Sequence, residues 1–365
     1  MKEKRRAWCV IDTDALVHNK MILEEKAGCP LMAVVKANAY GHGLLQVARV
    51  LEAHGTKWFC TASFDEAVAL RKGGIQGKIL ILGETDPHLA KELSEYDLVQ
   101  TIVDEAYANR LNESGVPAEC HLAIDTGMHR LGLPYDDERG IEEALQLSHL
   151  HVTGIFSHLC VSASLKEEDR KFTRLQRERF EKACASAEQH GKLMKHLLAS
   201  YGVARYREKI YDGVRCGIAL YGCGESDEEP LCLPLKRVMH VQCRIMSVRC
   251  LKAGESIGYG LSFTAKKEMQ VADLSIGYGD GLMRNMVEKG YVLMHGRRAK
   301  IIGRMCMDQM FVDVTGLDCT AGDVVTIIGK DGEEEITVEE AAGWSGTIAN
   351  ELLAGLSSRL ERIYI

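Results

Sequence analysis

Through the first 220 residues, short apolar runs rich in β-branched side chains alternate with longer amphipathic stretches. The runs centre on Leu31–Val35, Trp58–Thr61, Lys78–Leu82, Leu98–Val103, Cys120–Ile124, Val152–Phe156, His196–Ala199 and Gly213–Gly217. Continuous apolar runs of this length suit strands buried on both faces, the condition of a parallel sheet. Between them, Gly43–His54, Phe64–Lys72, Asp104–Ser114 and Glu168–Gln189 carry helical spacing, so the repeating unit is βα. Eight such units in about 230 residues match the arithmetic of a (β/α)8 barrel.

From about Leu233 the rhythm changes. Lys236–Leu251, Glu268–Ile276, Tyr291–Met294, Ala299–Ile302, Gln309–Val314 and Asp323–Ile328 read as strands punctuated by glycine, with a helical turn at Val338–Ala342. The expected fold class is therefore α/β, a (β/α)8 TIM barrel over 1–232 followed by a mostly β domain over 233–365. The N-terminal strand is a candidate to join the second domain. The acidic, proline-bearing stretch Glu225–Pro234 is the candidate junction.

A chain of 365 residues exceeds the size at which one core keeps growing, which agrees with two domains. A formal net charge of -7 argues against a nucleic-acid binder and leaves small molecules as the expected ligands. The thirteen cysteines form no Cys-x-x-Cys pair, which favours reduced thiols in the cytoplasm and no structural metal. No segment has the roughly 18 apolar residues of a membrane span, and the N-terminus lacks a signal peptide's apolar core. The cluster Lys2, Lys4, Arg5 and Arg6 reads as a solvated tail, or else as the cytoplasmic flank of a preceding membrane segment.

In a barrel, chemistry gathers at the carboxyl ends of the strands. Those ends carry Lys36, Asp125–Arg130, His158, Ser200, and Arg215 with Gly217. Lys36 follows the run Leu31–Val35, where desolvation favours the neutral amine that attacks an aldehyde. A strand-end lysine can equally snorkel to an acid. The following Ala37-Asn38-Ala39-Tyr40-Gly41-His42-Gly43 favours the first reading, since it sets an aromatic hydroxyl and close-approach glycines beside the amine. Ser200-Tyr201-Gly202 and Arg215-Cys216-Gly217-Ile218 occupy the loops after strands seven and eight, where barrels commonly bind phosphate. In the β domain, Gly258-Tyr259-Gly260 and Gly277-Tyr278-Gly279-Asp280-Gly281 put tyrosines between glycines, a weak signal that also fits loop anchors. Gly303–Asp308 adds backbone donors beside Arg304, an arrangement a β-turn ion pair would also explain.

Taken together and in order, these motifs resemble the alanine racemase family nearly end to end. Ala33-Val34-Val35-Lys36-Ala37-Asn38-Ala39-Tyr40-Gly41-His42-Gly43 is similar to the family's pyridoxal-phosphate lysine signature. Asp125-Thr126-Gly127-Met128-His129-Arg130-Leu131-Gly132, Arg215-x-Gly217-Ile218, Gly277–Gly281 and Gly303-Arg304-x-Cys306-Met307-Asp308-Gln309 continue the match. The resemblance implies a pyridoxal 5'-phosphate enzyme with Lys36 carrying the cofactor and acting as one base. Tyr259 is implied as the opposite base, supplied across a homodimer. Tyr40, Ser200, Gly217 and Ile218 match phosphate contacts, Arg215 the group facing the pyridine nitrogen, and His158 the residue between Arg215 and Tyr259. Arg130 and the Met307 backbone match the substrate-carboxylate site, approached past Tyr278, Cys306 and Asp308.

The chain departs from the pattern twice. The lysine, often carbamylated, that the family places two residues before Asp125 is Ala123, so Arg130 must be oriented by something else, such as a bound anion. The family's phosphate-binding, substrate-lining tyrosine is Asn350, in Thr347-Ile348-Ala349-Asn350-Glu351. A shorter amide opens volume and offers a donor and an acceptor, which a hydroxymethyl side chain would use. The expected substrate is therefore serine, with alanine also accepted; the alternative is alanine as the sole physiological substrate. The same substitution, with the basic stretch at Lys2–Arg6, resembles the cytoplasmic racemase domain of the membrane serine racemases of glycopeptide resistance. Three rivals are weighed against this. A single-barrel pyridoxal-phosphate binder would lack Tyr259, and a decarboxylase of this architecture would carry an acid where Arg215 stands. A ligand sensor would exchange no α-proton.

Overall fold

The structure is a computed structural model that describes residues 5–206, 211–224 and 230–365. Two compact units emerge: Val17–Leu220 with 230–235, and 5–16 with 221–224 and Lys236–Ile365.

In the first unit the eight anticipated strands form one parallel sheet, in the order Val214–Cys216, Leu31–Val34, Trp58–Thr61, Lys78–Ile81, Leu98–Ile102, Ala118–Asp125, Leu150–Phe156 and Met194–His196. A parallel bridge between Ala199 and Arg215 brings the last strand back to the first, so the sheet is nearly closed. Met32, Val34, Cys60, Leu80 and Val99 are buried together inside it, which is why these strands read as unbroken apolar runs. Some of the helices start where the sequence supplies caps. Ser63 accepts from the Glu66 N–H ahead of Phe64–Lys72, and Asp104 accepts from Tyr107 N–H ahead of Glu105–Glu113.

The second unit is built on a sheet running Glu334–Ile336, Val324–Asp331, Tyr291–Met294, Arg297–Ile302, Met310–Asp313, Met269–Leu274, Met239–Leu251, Ala7–Ile11 and Glu361–Tyr364. A further pairing of Met239–Leu251 with Val324–Asp331 folds the sheet on itself. Along Met239–Ile245 buried and half-buried residues alternate, the period of a strand with one face inward. Ala7–Ile11 pairs antiparallel with Met239–Leu251 and parallel with Glu361–Tyr364, placing the first and last described strands in this unit.

The basic N-terminal cluster is not a solvated tail where it is described. Arg5 pairs with Glu361, and Arg6 donates to both carboxylate oxygens of the fully buried Asp280. Lys2 and Lys4 lie outside the described residues, as does 225–229 of the expected junction. Among the described residues no helix is long and apolar enough to cross a membrane.

Candidate active site

Lys36 opens the most unusual backbone among the described residues. Ala37, Asn38, Ala39 and Tyr40 have φ of 53, 55, 54 and 51°, a turn of left-handed helix without a single glycine. Left-handed geometry costs an L-residue roughly 1–2 kcal/mol, so the surroundings must impose it. They do so through Glu66, which accepts from the Ala37 N–H at 2.6 Å, through Asn38, whose side chain accepts from Leu44 N–H at 2.8 Å, and through backbone bonds from Gly41 to Ala37 O and Gly43 to Asn38 O. The turn aims the Tyr40 hydroxyl at Gly217, where a Cβ would lie only 2.4 Å from it. The Lys36 ammonium is destabilised by burial first and by the charge of Arg130 next, so its pKa falls below the ordinary lysine value.

Around Gly217 the chain offers donors. The Ala219 N–H is taken by Ser200 Oγ at 3.2 Å, while the amides of Gly217 and Ile218 find no acceptor among the described residues. A tetrahedral anion fits a cradle of this kind, formed by two backbone N–H groups and a tyrosine hydroxyl.

Arg215 is 4% exposed and makes an unusually complete set of bonds. One terminal nitrogen donates to His196 Nδ1 at 2.8 Å and His196 O at 2.7 Å; the other donates to Ser157 O at 2.6 Å and Leu197 O at 3.3 Å. His158 Nδ1 stands 3.5 Å from the second nitrogen, the longest of these contacts. Nε makes none among the described residues, leaving one N–H for a ring nitrogen that accepts. Burial lowers the Arg215 pKa to about 10, which still leaves it charged at neutral pH. The same burial, then the charge of Arg215, push His158 to about 3, so the positive charge resides on Arg215 and not on His158.

Ala123 is buried on its strand, and Arg130 is exposed with no partner among the described residues. Asp125 organises the loop between them by accepting from Gly127 and His129 N–H at 2.9 and 3.0 Å and from the His129 ring. Burial alone would raise its pKa, but these bonds outweigh burial and hold it below the usual value.

In the β unit, Tyr259, Tyr278, Cys306, Met307 and Asp308 fall on three loops bound to one another. Tyr278 N–H donates to Cys306 O at 3.1 Å and Gly279 N–H to Met307 O at 2.8 Å. A Cβ at Gly277 would meet Cys306 O at 2.4 Å, so only glycine permits the approach. Arg304 N–H donates to Ser262 Oγ at 2.9 Å, joining the Tyr259 loop to the same assembly. Arg359 bridges Asp280 and Asp308. Tyr259, Leu261, Tyr278, Met307 and Met246 are left 39–70% exposed on this surface. Asn350 lies in the helix Ala349–Gly355, and its Oδ1 is buried without a partner among the described residues.

Four residues with a part in this geometry were not anticipated: His121, His196, Ser157 and Glu66. The two histidines sit within strands where they read as core, and Ser157 and Glu66 act through contacts remote in sequence.

Residues 11–225 match the alanine racemase N-terminal domain, and 238–364 match the alanine racemase C-terminal domain. An amino-acid racemase of Enterococcus faecalis is 40% identical over 368 residues, covering 98% of this chain and 51% of its own length. The chain thus spans about half of that relative. The alanine racemase of Carboxydothermus hydrogenoformans is 37% identical over 99% of this chain and 100% of its own. Among solved structures, an alanine racemase from E. faecalis gives a TM-score of 0.92 at 31% identity over 99% of this chain and 98% of that one. A histidine racemase from Leuconostoc mesenteroides subsp. sake gives 0.87 at 27% identity over 99% and 98%. With both domains matched in order, the chain belongs to the alanine racemase family, whose cofactor is pyridoxal 5'-phosphate.

Proposed function

We propose that the chain interconverts the L and D forms of serine, and also of alanine, with pyridoxal phosphate and two bases. The observation that supports this best is the buried Lys36 amine, its pKa lowered by burial and by neighbouring charge, on a turn that also carries the Tyr40 hydroxyl to the Gly217 backbone. The donors present fit the cofactor. Tyr40, Ser200, Gly217 and Ile218 would hold its phosphate, Lys36 its aldehyde carbon, and the spare Nε–H of Arg215 its ring nitrogen, with His158 beside it. When bound, the cofactor supplies the electron sink that makes the substrate α-proton acidic. Because Arg215 can only donate, it leaves the ring nitrogen unprotonated and moderates that sink.

The remaining steps belong to side chains. Arg130, with the Met307 N–H of the partner subunit, would hold the substrate carboxylate, and Tyr278, Cys306 and Asp308 of the partner subunit would line the approach. Lys36 Nζ would take or return the α-proton on one face. Tyr259 of the partner subunit would do so on the other, and inversion needs both faces served. Support for a homodimer comes from the apolar side chains around Tyr259, which a single chain leaves in water.

Serine is favoured by Asn350, whose unpartnered carbonyl oxygen is an acceptor for a substrate hydroxyl. The likeness to membrane serine racemases rests on the same residue and on the basic stretch at Lys2–Arg6. The second reading, alanine alone, draws on the names of relatives such as that of C. hydrogenoformans. A chiral assay of L-serine and L-alanine on the purified protein and on Asn350→Tyr separates them. The serine-to-alanine ratio should fall about tenfold or more in the variant, the scale of a lost hydrogen bond to substrate; an unchanged ratio refutes the serine argument.

A further inference from the structure

Arg215 carries only donors, so the His196 Nδ1 that it approaches at 2.8 Å holds no proton. His196 is fully buried beside that charge, and both burial and Arg215 keep it neutral. Its one proton therefore sits on Nε2, which lies 2.8 Å from His121 Nδ1. His121 is also fully buried and neutral, so its Nδ1 accepts and its own proton is on Nε2. That last N–H meets no acceptor among the described residues, in a space bounded by the Trp58 ring at 5.2 Å and by Gly154, where a Cβ would touch the imidazole at 2.6 Å. The Phe156 ring stacks on His196 at 4.9 Å and 11° and carries the Arg215 guanidinium 4.9 Å from its centre. The direction of every proton in this chain follows from its first member.

We propose that His121 and His196 form a relay of two neutral imidazoles, each protonated on Nε2, that positions Arg215 so that its Nε–H alone is left for the cofactor. The inference rests on the reading that Arg215 faces the ring nitrogen. The two histidines are positioning residues. His196 supplies a rigid acceptor that fixes the rotation of the guanidinium, and His121 fixes which nitrogen of His196 can accept. Protonation of His196 on Nδ1 would set an N–H against the guanidinium and turn it away.

The direct test is 15N NMR of the histidine-labelled holoenzyme. Both residues should show the neutral, Nε2-protonated tautomer across neutral pH; a proton on His196 Nδ1, or a doubly protonated ring, overturns the relay. His196→Leu removes the acceptor and His196→Asn keeps one near the Nδ1 position. The leucine variant should bind pyridoxal phosphate about ten- to a hundredfold more weakly and alter the absorbance of the bound cofactor, as expected when a hydrogen bond to a charged group is lost. The asparagine variant should stay within about threefold of the unaltered protein, rescue that a purely packing role would not give. A leucine variant that binds and absorbs like the unaltered protein overturns the inference. If that variant does not fold, the tautomer measurement still decides. Failure of the unaltered protein to bind pyridoxal phosphate is a separate outcome, which removes the reading of Arg215 and the relay's role with it.

Discussion

Gly217→Ala isolates the proposed phosphate cradle from the rest of the fold. The φ at Gly217 lies outside the left-handed region, so alanine adds no backbone strain and the whole effect is steric. The new Cβ would stand 2.4 Å from the Tyr40 hydroxyl and 2.9 Å from the ring carbon that bears it. Ordinary contact requires Tyr40 to retreat by about 1 Å, enough to break a hydrogen bond from its hydroxyl. A hydrogen bond to a charged group contributes roughly 1.5–3 kcal/mol, so the cofactor dissociation constant should rise about ten- to a hundredfold. Titration of the apo-protein with pyridoxal phosphate, followed by absorbance, reads this directly, while the thermal midpoint of the apo-protein should stay nearly constant. Tyr40→Phe removes the same hydroxyl, so the two changes together should cost little more than either alone. Affinity within about twofold of the parent, or full additivity of the two variants, would refute the reasoning.

Two further expectations concern stability. His121 and His158 are held at about 3 and His196 well below 6.5, in each case by burial first and Arg215 second. Because the folded-state pKa values are depressed, the stability is fully present above the unfolded value near 6.5 and is lost as pH falls toward 3. Urea midpoints should drop between about pH 7.5 and pH 5, and a flat profile would contradict the buried neutral histidines. Asp280→Asn weakens the pairing with Arg6 and Arg359 and the bond from Gly277 N–H, so it should cost about 2 kcal/mol, less than a fully buried pair because Arg6 is partly in water. Thermal unfolding checks this, and an unchanged midpoint would show the ion pair to be dispensable.

The barrel was legible because its strands are buried on both faces: Ile79–Ile81 and Trp58–Cys60 are apolar at every position, and that leaves a continuous mark. The strand ends followed, and with them the positions of Lys36, His158, Ser200 and Arg215. The left-handed turn after Lys36 was hidden, since Ala37-Asn38-Ala39-Tyr40 contains no glycine, the residue by which positive φ is usually recognised. Its cause lies in tertiary contacts, Glu66 foremost. Arg6 and Asp280 likewise meet across 274 residues, beyond the reach of any local pattern. His121 and His196 were concealed by their setting, because a polar residue inside an apolar run looks like a tolerated exception until its neighbour two strands along the sheet is seen.

Lys36 is proposed as the one residue that holds the cofactor covalently. Borohydride treatment of the protein with bound pyridoxal phosphate, followed by peptide mapping, should place a single phosphopyridoxyl group on Lys36, and Lys36→Ala should abolish the label. A label on another lysine, or none on a protein that nevertheless racemises its substrate, would contradict it.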